Sequence, residues 1–107
     1  MVPEISIDEV ASRLRSGAFL LDVRQPDEYV EGHVPGAVLI PLDDVPVRAG
    51  ELPDGEEILV ICRSGARSHR AAEYLIDRCG VAAVNVSGGT LAWIESGRDV
   101  VVGTEPT

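Results

Sequence analysis

No stretch of this 107-residue chain approaches the roughly 18 to 20 consecutive apolar residues that a membrane-crossing helix needs. Its opening, Met1-Val2-Pro3-Glu4, has neither the basic nor the apolar region of a secretory signal, so the expected location is the cytoplasm. Cysteine is scarce. Two residues, Cys62 and Cys79, make no disulfide framework, and each can stay a thiol in a reducing compartment. Lysine is absent: all 9 basic residues are arginine, and against 18 acidic ones they leave a formal net charge of −9. That balance argues against nucleic acid or an anionic membrane surface as partner, because both are held by basic side chains.

What is present is the composition of an ordinary globular protein, 45% hydrophobic and 25% charged. The length suits one hydrophobic core, hence a single domain over 1–107, with its core at about 5–97 and a C-terminal tail at about 103–107. Four of the arginines, Arg24, Arg63, Arg67 and Arg70, fall in segments that converge on one expected site. A locally positive pocket on an acidic protein can then bind a small anion.

Apolar periodicity and breakers order the chain into alternating elements. Ser6 and Glu9 predict a capping box, followed by an amphipathic helix through Val10 and Leu14 to Gly17. Ala18–Val23 is a short apolar run suited to a buried parallel strand. Pro26 fits the first position of a short helix ended by Gly32, and Ala37–Ile40 is a second strand. Pro46, Gly50 and Pro53 limit the stretch from Leu42 to Gly55 to a helical turn and loop. Glu57–Cys62 is the clearest strand. Ser68 is the expected cap of the next helix, whose stripe Ala71, Ala72, Leu75, Ile76 and Cys79 ends at Gly80. Val81–Val86 predicts a fourth strand, Gly88-Gly89 turns into a helix through Trp93, and Val100–Val102 suggests an edge strand. Such alternation implies an α/β fold: a small, doubly wound, mainly parallel sheet with helices on both faces. Ligand sites in such sheets lie beyond the carboxyl ends of the strands, where Asp22–Arg24, Pro41 and Cys62–Arg67 fall.

The loop Cys62-Arg63-Ser64-Gly65-Ala66-Arg67-Ser68 carries the chemistry. A cysteine attacks as its thiolate, which cations and the unpaired amides of a helix N-terminus favour. Small residues in the middle of the loop let successive N–H groups turn inward as an anion-binding nest, and Arg67 adds a permanently charged fork. An isolated cysteine at a strand end is more often packed core. Two arginines and a glycine between a buried strand and a capped helix favour the reactive reading.

Leu21-Asp22-Val23-Arg24 with Pro26-Asp27-Glu28-Tyr29, Gly32-His33-Val34-Pro35-Gly36-Ala37, the Cys62 loop, and Gly88-Gly89 with Trp93 together resemble the rhodanese homology domain in order and spacing. The resemblance runs from about the first helix to Gly97. It implies that Cys62 takes a sulfane sulfur from a donor such as thiosulfate and passes it, through a persulfide, to cyanide or a thiol. It also implies a cradle of amides and side chains from Arg63, Ser64, Gly65, Ala66 and Arg67, supported by Asp22, Arg24 and Ser68. The expected partners are a small anionic sulfur donor and a thiol or protein acceptor, and no cofactor or metal is required. Related phosphatases and arsenate reductases have one more residue between cysteine and arginine; the four here match the sulfurtransferase form. A sulfur-inert binding or regulatory module is the other alternative.

The remaining chemistry-bearing residues have bland readings. Eleven residues of helix between Ser68 and Cys79 rise about 16 Å, too far for a disulfide with Cys62, so Cys79 is expected to be structural. His33, His69 and the cysteines lack the close spacing of a metal site. His33 is expected to bond backbone, and His69 to face solvent. Asp22 and Arg24 either pair beside the pocket or touch substrate, Arg63 points over the pocket mouth or to solvent, Glu28 stabilises its helix, and Trp93 is core. Neither the glycine pair nor Gly65 completes a nucleotide-binding motif.

Overall fold

The computed structural model describes residues 1–107. Ten elements alternate along the chain: β1 Glu4–Ile5, α1 Val10–Arg15, β2 Phe19–Asp22, α2 Pro26–Glu31, β3 Val38–Leu39, α3 Val45–Arg48, β4 Ile58–Ile61, α4 Ala66–Cys79, β5 Ala83–Val86 and α5 Gly89–Glu95. The five strands form one sheet in the order β1-β5-β4-β2-β3, every pair parallel. The α/β class and the parallel sheet expected from the alternation are those observed.

Strand residues point alternately to the two faces, and the core divides accordingly. Leu21, Ile58, Val60 and Cys62 pack with Ala71, Ala72 and Leu75 of α4 and Val45 of α3. Leu20, Leu59 and Ile61 pack on the other face with Val10 of α1, Tyr29 of α2 and Trp93 of α5. Both faces of β2 and β4 are thus covered, which is why β4 is apolar throughout and β2 is apolar up to Asp22 at its carboxyl end.

Several boundaries differ from the expectations. A two-residue strand, β1, precedes the first helix and pairs with Asn85 and Val86 of β5. Ser6 makes no side-chain cap; its carbonyl accepts the Glu9 amide at 3.1 Å and opens a 3-10 turn ahead of α1. The capping box lies instead at α2, between Gln25 and Glu28. Leu42–Glu51 folds into α3 flanked by two 3-10 turns, more helix than a lone turn. Val100–Val102 contributes one antiparallel bridge, Val101 to His33, in place of an edge strand. Ser68 is not a cap: α4 starts at Ala66 with Gly65 before it.

Cys79 departs from the predicted stripe, for it is exposed while Ser68, Ala71, Ala72 and Leu75 are buried. The 14 residues of α4 span about 21 Å, against about 13 Å for the 4 residues of β4. The last turn therefore outruns the sheet.

The C-terminal residues are tied back onto α2 and its following loop. Gly103 donates to the Val30 carbonyl and Gly36 to the Pro106 carbonyl, each at 2.9 Å. His33, fully buried, stacks on Tyr29 and bonds backbone as expected, one ring nitrogen at 2.7 Å from the Tyr29 carbonyl and the other at 2.8 Å from that of Glu105. No helix is long and apolar enough to cross a membrane.

Candidate functional site

β4 lies at the centre of the sheet, between β2 and β5, and delivers Cys62 to its carboxyl end. The turn out of β4 is held from two sides. Gly65 adopts φ +114°, open to glycine and costly for other residues, and this reverses the chain into α4. From the other side, the first turn of α5 binds the loop carbonyls: Thr90 donates to Cys62 O at 2.8 Å and Leu91 to Arg63 O at 3.0 Å. With those carbonyls drawn toward α5, the amides of Ser64 and Gly65 turn to the sulfur. Gly89 makes this approach feasible, since a Cβ there would lie 2.5 Å from the Cys62 oxygen and 2.6 Å from that of Arg63.

The sulfur accepts the Gly65 amide at 3.1 Å, and the Ser68 hydroxyl lies 3.2 Å away. Burial pushes the Cys62 thiol up, but the Ser68 hydroxyl and the amides of Ser68, Gly65 and Ser64 outweigh it and hold the thiol below its ordinary range. Ser68 is thus turned from the expected helix cap into a direct partner of the sulfur. Behind it stands a residue that pattern reading passes over. Asn85, buried in β5, accepts from Ser68 at 2.5 Å through Oδ1 and donates through Nδ2 to Glu4 at 2.9 Å and to Gly65 O at 3.2 Å. A polar residue inside the apolar run Ala83-Val84-Asn85-Val86 was the available signal.

The arginines divide into paired and free. Arg67 grips Glu28 with both terminal nitrogens, at 2.7 and 2.9 Å, so its charge is compensated rather than bare beside the sulfur. The same contact, aided by the Gln25 amide against the effect of burial, holds the Glu28 carboxyl down at about 2. Asp22 and Arg24 form the anticipated ion pair, at 2.9 Å and almost wholly buried, and Arg24 also donates to Gly32 O. The end of β2 is thereby fastened to the end of α2. Arg63, Ser64 and Ala66 are exposed on the outer side of the loop, and so is His69, as expected. No three His, Cys, Asp or Glu side chains form a group that could hold a metal ion.

A cleft of about 390 Å³ opens beside the loop, lined among others by Arg24, Glu28, Arg63, Thr90, Leu91 and Ile94. It reaches the surroundings of Cys62 through Arg63, the next residue in the chain, and Thr90, whose amide holds the Cys62 carbonyl.

An α/β domain whose central parallel strand ends in a buried cysteine, with amides and a hydroxyl turned on the sulfur, has surroundings of the kind that favour a thiolate. Residues 6–96 match the rhodanese-like domain, and the chain belongs to that family. A sulfurtransferase of Allochromatium vinosum is 35% identical over 103 residues, 94% of this chain and 96% of the relative. A rhodanese-related protein of Thermoplasma volcanium superposes with a TM-score of 0.86 at 31% identity, covering 96% of this chain and 99% of its own. The thiosulfate sulfurtransferase of Pseudomonas aeruginosa has a TM-score of 0.86 at 25% identity over 95% of this chain, which spans only 20% of that larger protein.

Proposed function

We propose that this protein transfers sulfane sulfur through a persulfide on Cys62, with a small anion such as thiosulfate as donor and cyanide or a thiol as acceptor. The observation that carries the reading is the environment of the sulfur, which accepts the Gly65 amide with the Ser68 hydroxyl close by and whose thiol is held below its ordinary range. The sulfurtransferase name of the Allochromatium relative and the thiosulfate sulfurtransferase among similar structures support it.

In the first step the Cys62 thiolate attacks the outer sulfur of thiosulfate. A bond forms between Sγ and that sulfur, the sulfur–sulfur bond of the donor breaks, and sulfite leaves with the electron pair. In the second, the acceptor attacks the outer sulfur of the persulfide, giving thiocyanate from cyanide or a new persulfide from a thiolate, and Cys62 returns as thiolate. The amides of residues 63 to 67 cradle the anion, Arg67 contributes its charge tempered by Glu28, and Arg63 at the cleft mouth, exposed and in no ion pair, meets the donor. Asp22, Arg24 and Ser68 support the loop. A reducing, cytoplasmic setting would keep both thiols free between turnovers.

The test is incubation with thiosulfate followed by intact mass measurement. The expected result is a gain of one sulfur atom that cyanide reverses and that Cys62→Ser abolishes. Failure to take up sulfur from thiosulfate, mercaptopyruvate or a protein persulfide would overturn the reading and leave a binding module.

A further inference from the structure

Ser68 has one hydroxyl proton and two acceptors within reach, Sγ of Cys62 at 3.2 Å and Oδ1 of Asn85 at 2.5 Å. It can donate to only one of them. The Asn85 amide is not free to turn and become a donor to Ser68, because its nitrogen is held by the Glu4 carboxylate and the Gly65 carbonyl. Oδ1 therefore always presents lone pairs to Ser68, and the hydroxyl is its hydrogen-bond donor.

We propose that Asn85, oriented by Glu4, competes with the Cys62 thiolate for the Ser68 proton, and so acts as a positioning residue that keeps the nucleophile from becoming too weak a base. This rests on Cys62 being the nucleophile. In the thiol state the S–H donates to Ser68 Oγ and the Ser68 hydroxyl donates to Asn85. When the thiol loses its proton to solvent, the Ser68 hydroxyl must turn to the sulfur, and Oδ1 of Asn85, a residue only 1% exposed, is left without a donor. Every ionisation of Cys62 thus orphans a buried acceptor. A consequence for reactivity follows, because the attacking power of a thiolate declines with its basicity and is best when its pKa lies near the working pH.

The charged groups around the sulfur do not account for this coupling. Arg67 is neutralised by Glu28, Asp22 by Arg24, and Arg63 is exposed. The first turn of α5, which packs on the loop, bears no acidic side chain. Only Ser68 and Asn85 join β5 to the sulfur through side chains.

The experiment measures the pKa of Cys62 from the pH profile of iodoacetamide alkylation, with thiolate ultraviolet absorbance as a second readout, in a Cys79→Ser background. Ser68→Ala is expected to raise it by about one unit, the weight of one hydrogen bond. Asn85→Leu is expected to lower it by about one unit, and to reduce the limiting alkylation rate at high pH about threefold. In the double variant the effect of Asn85→Leu disappears, since it acts through Ser68. A merely structural Asn85 gives the opposite sign: losing its bond to Gly65 O would loosen the loop, weaken the Gly65 amide on the sulfur and raise the pKa. A rise, no change, or an equal fall with and without Ser68 overturns the proposal. Should Asn85→Leu not fold, Glu4→Gln on the exposed edge strand takes its place, and the proposal requires its fall in pKa to be larger with Ser68 present than in Ser68→Ala. None of these measurements uses sulfur transfer. Failure to acquire sulfur from thiosulfate would therefore strike the proposed function alone.

Discussion

Replacing Gly89 by alanine tests whether the clamp between α5 and the loop organises the site. Two costs combine. An alanine at φ +61° sits in the left-handed region, at about 1 kcal/mol. Its Cβ would also lie 2.5 and 2.6 Å from two carbonyl oxygens, so α5 must retreat by about 1 Å. The Thr90 bond to Cys62 O, 2.8 Å in the native protein, then stretches to about 3.8 Å and is lost. Overpacking of this kind costs about 2 to 3 kcal/mol, for a total of about 3 to 4. Gly80→Ala is the matched control, since Gly80 has φ +65° and nothing within 4 Å of its Cβ position. At about 4 °C per kcal/mol for a domain of this size, Gly80→Ala should lower the Tm by about 4 °C and Gly89→Ala by about 15 °C. Scanning calorimetry gives both values, and the sulfur-uptake assay should show Gly80→Ala intact and Gly89→Ala impaired even at temperatures where it is folded. Equal losses of Tm in the two variants, with uptake unchanged in Gly89→Ala, would refute the clamp.

Two further perturbations address the ion pairs. Because the Glu28 carboxyl is held at about 2, below its ordinary 4.5, the pair with Arg67 stabilises the fold above about pH 4.5 and loses that contribution as pH falls toward 2. Both side chains are roughly a quarter to a third exposed, so solvent screening reduces the contribution to about 1 kcal/mol. Urea unfolding should find Glu28→Gln less stable than wild type by about that amount at pH 6, with the gap narrowing through pH 3 and closing toward pH 2; a gap that widens on acidification would contradict the pairing. Asp22→Ala leaves the buried Arg24 guanidinium uncompensated and should cost about 3 to 5 kcal/mol, most of it recovered in Asp22→Leu combined with Arg24→Met. A loss under about 1 kcal/mol in the single variant would show that the pair is not buried as described.

The legible parts of the protein are those written in contiguous residues. Ile58–Ile61 is apolar on both faces, so a central parallel strand follows from it, and Pro26 at the head of α2 marks a helix start that the structure keeps. The cysteine loop, bounded by that strand and a long helix, is likewise local. Contacts between distant segments leave no such trace. Glu28 looks like a helix-stabilising acid, and it is one, yet its partner Arg67 stands 39 residues away. β1 is two residues long and exists because β5 offers it an edge, which no periodicity of Glu4-Ile5 announces. Ser68 has the composition of a cap, and only the start of α4 at Ala66 turns it inward to the sulfur.

By itself, then, the order of strands, helices and breakers determined the class of fold and the position of Cys62 at a strand's carboxyl end, and the resemblance of four short motifs pointed to the family, because all of these depend on neighbours in the chain. The tertiary structure alone decided how the sulfur is held. Asn85 and Glu4 reach it through Ser68, α5 pulls back the carbonyls of its loop, and Glu28 neutralises Arg67. Hydrogen bonds and ion pairs act over a few ångströms of space, whatever the separation in sequence, and packing four segments onto one strand end is what brings those groups within range.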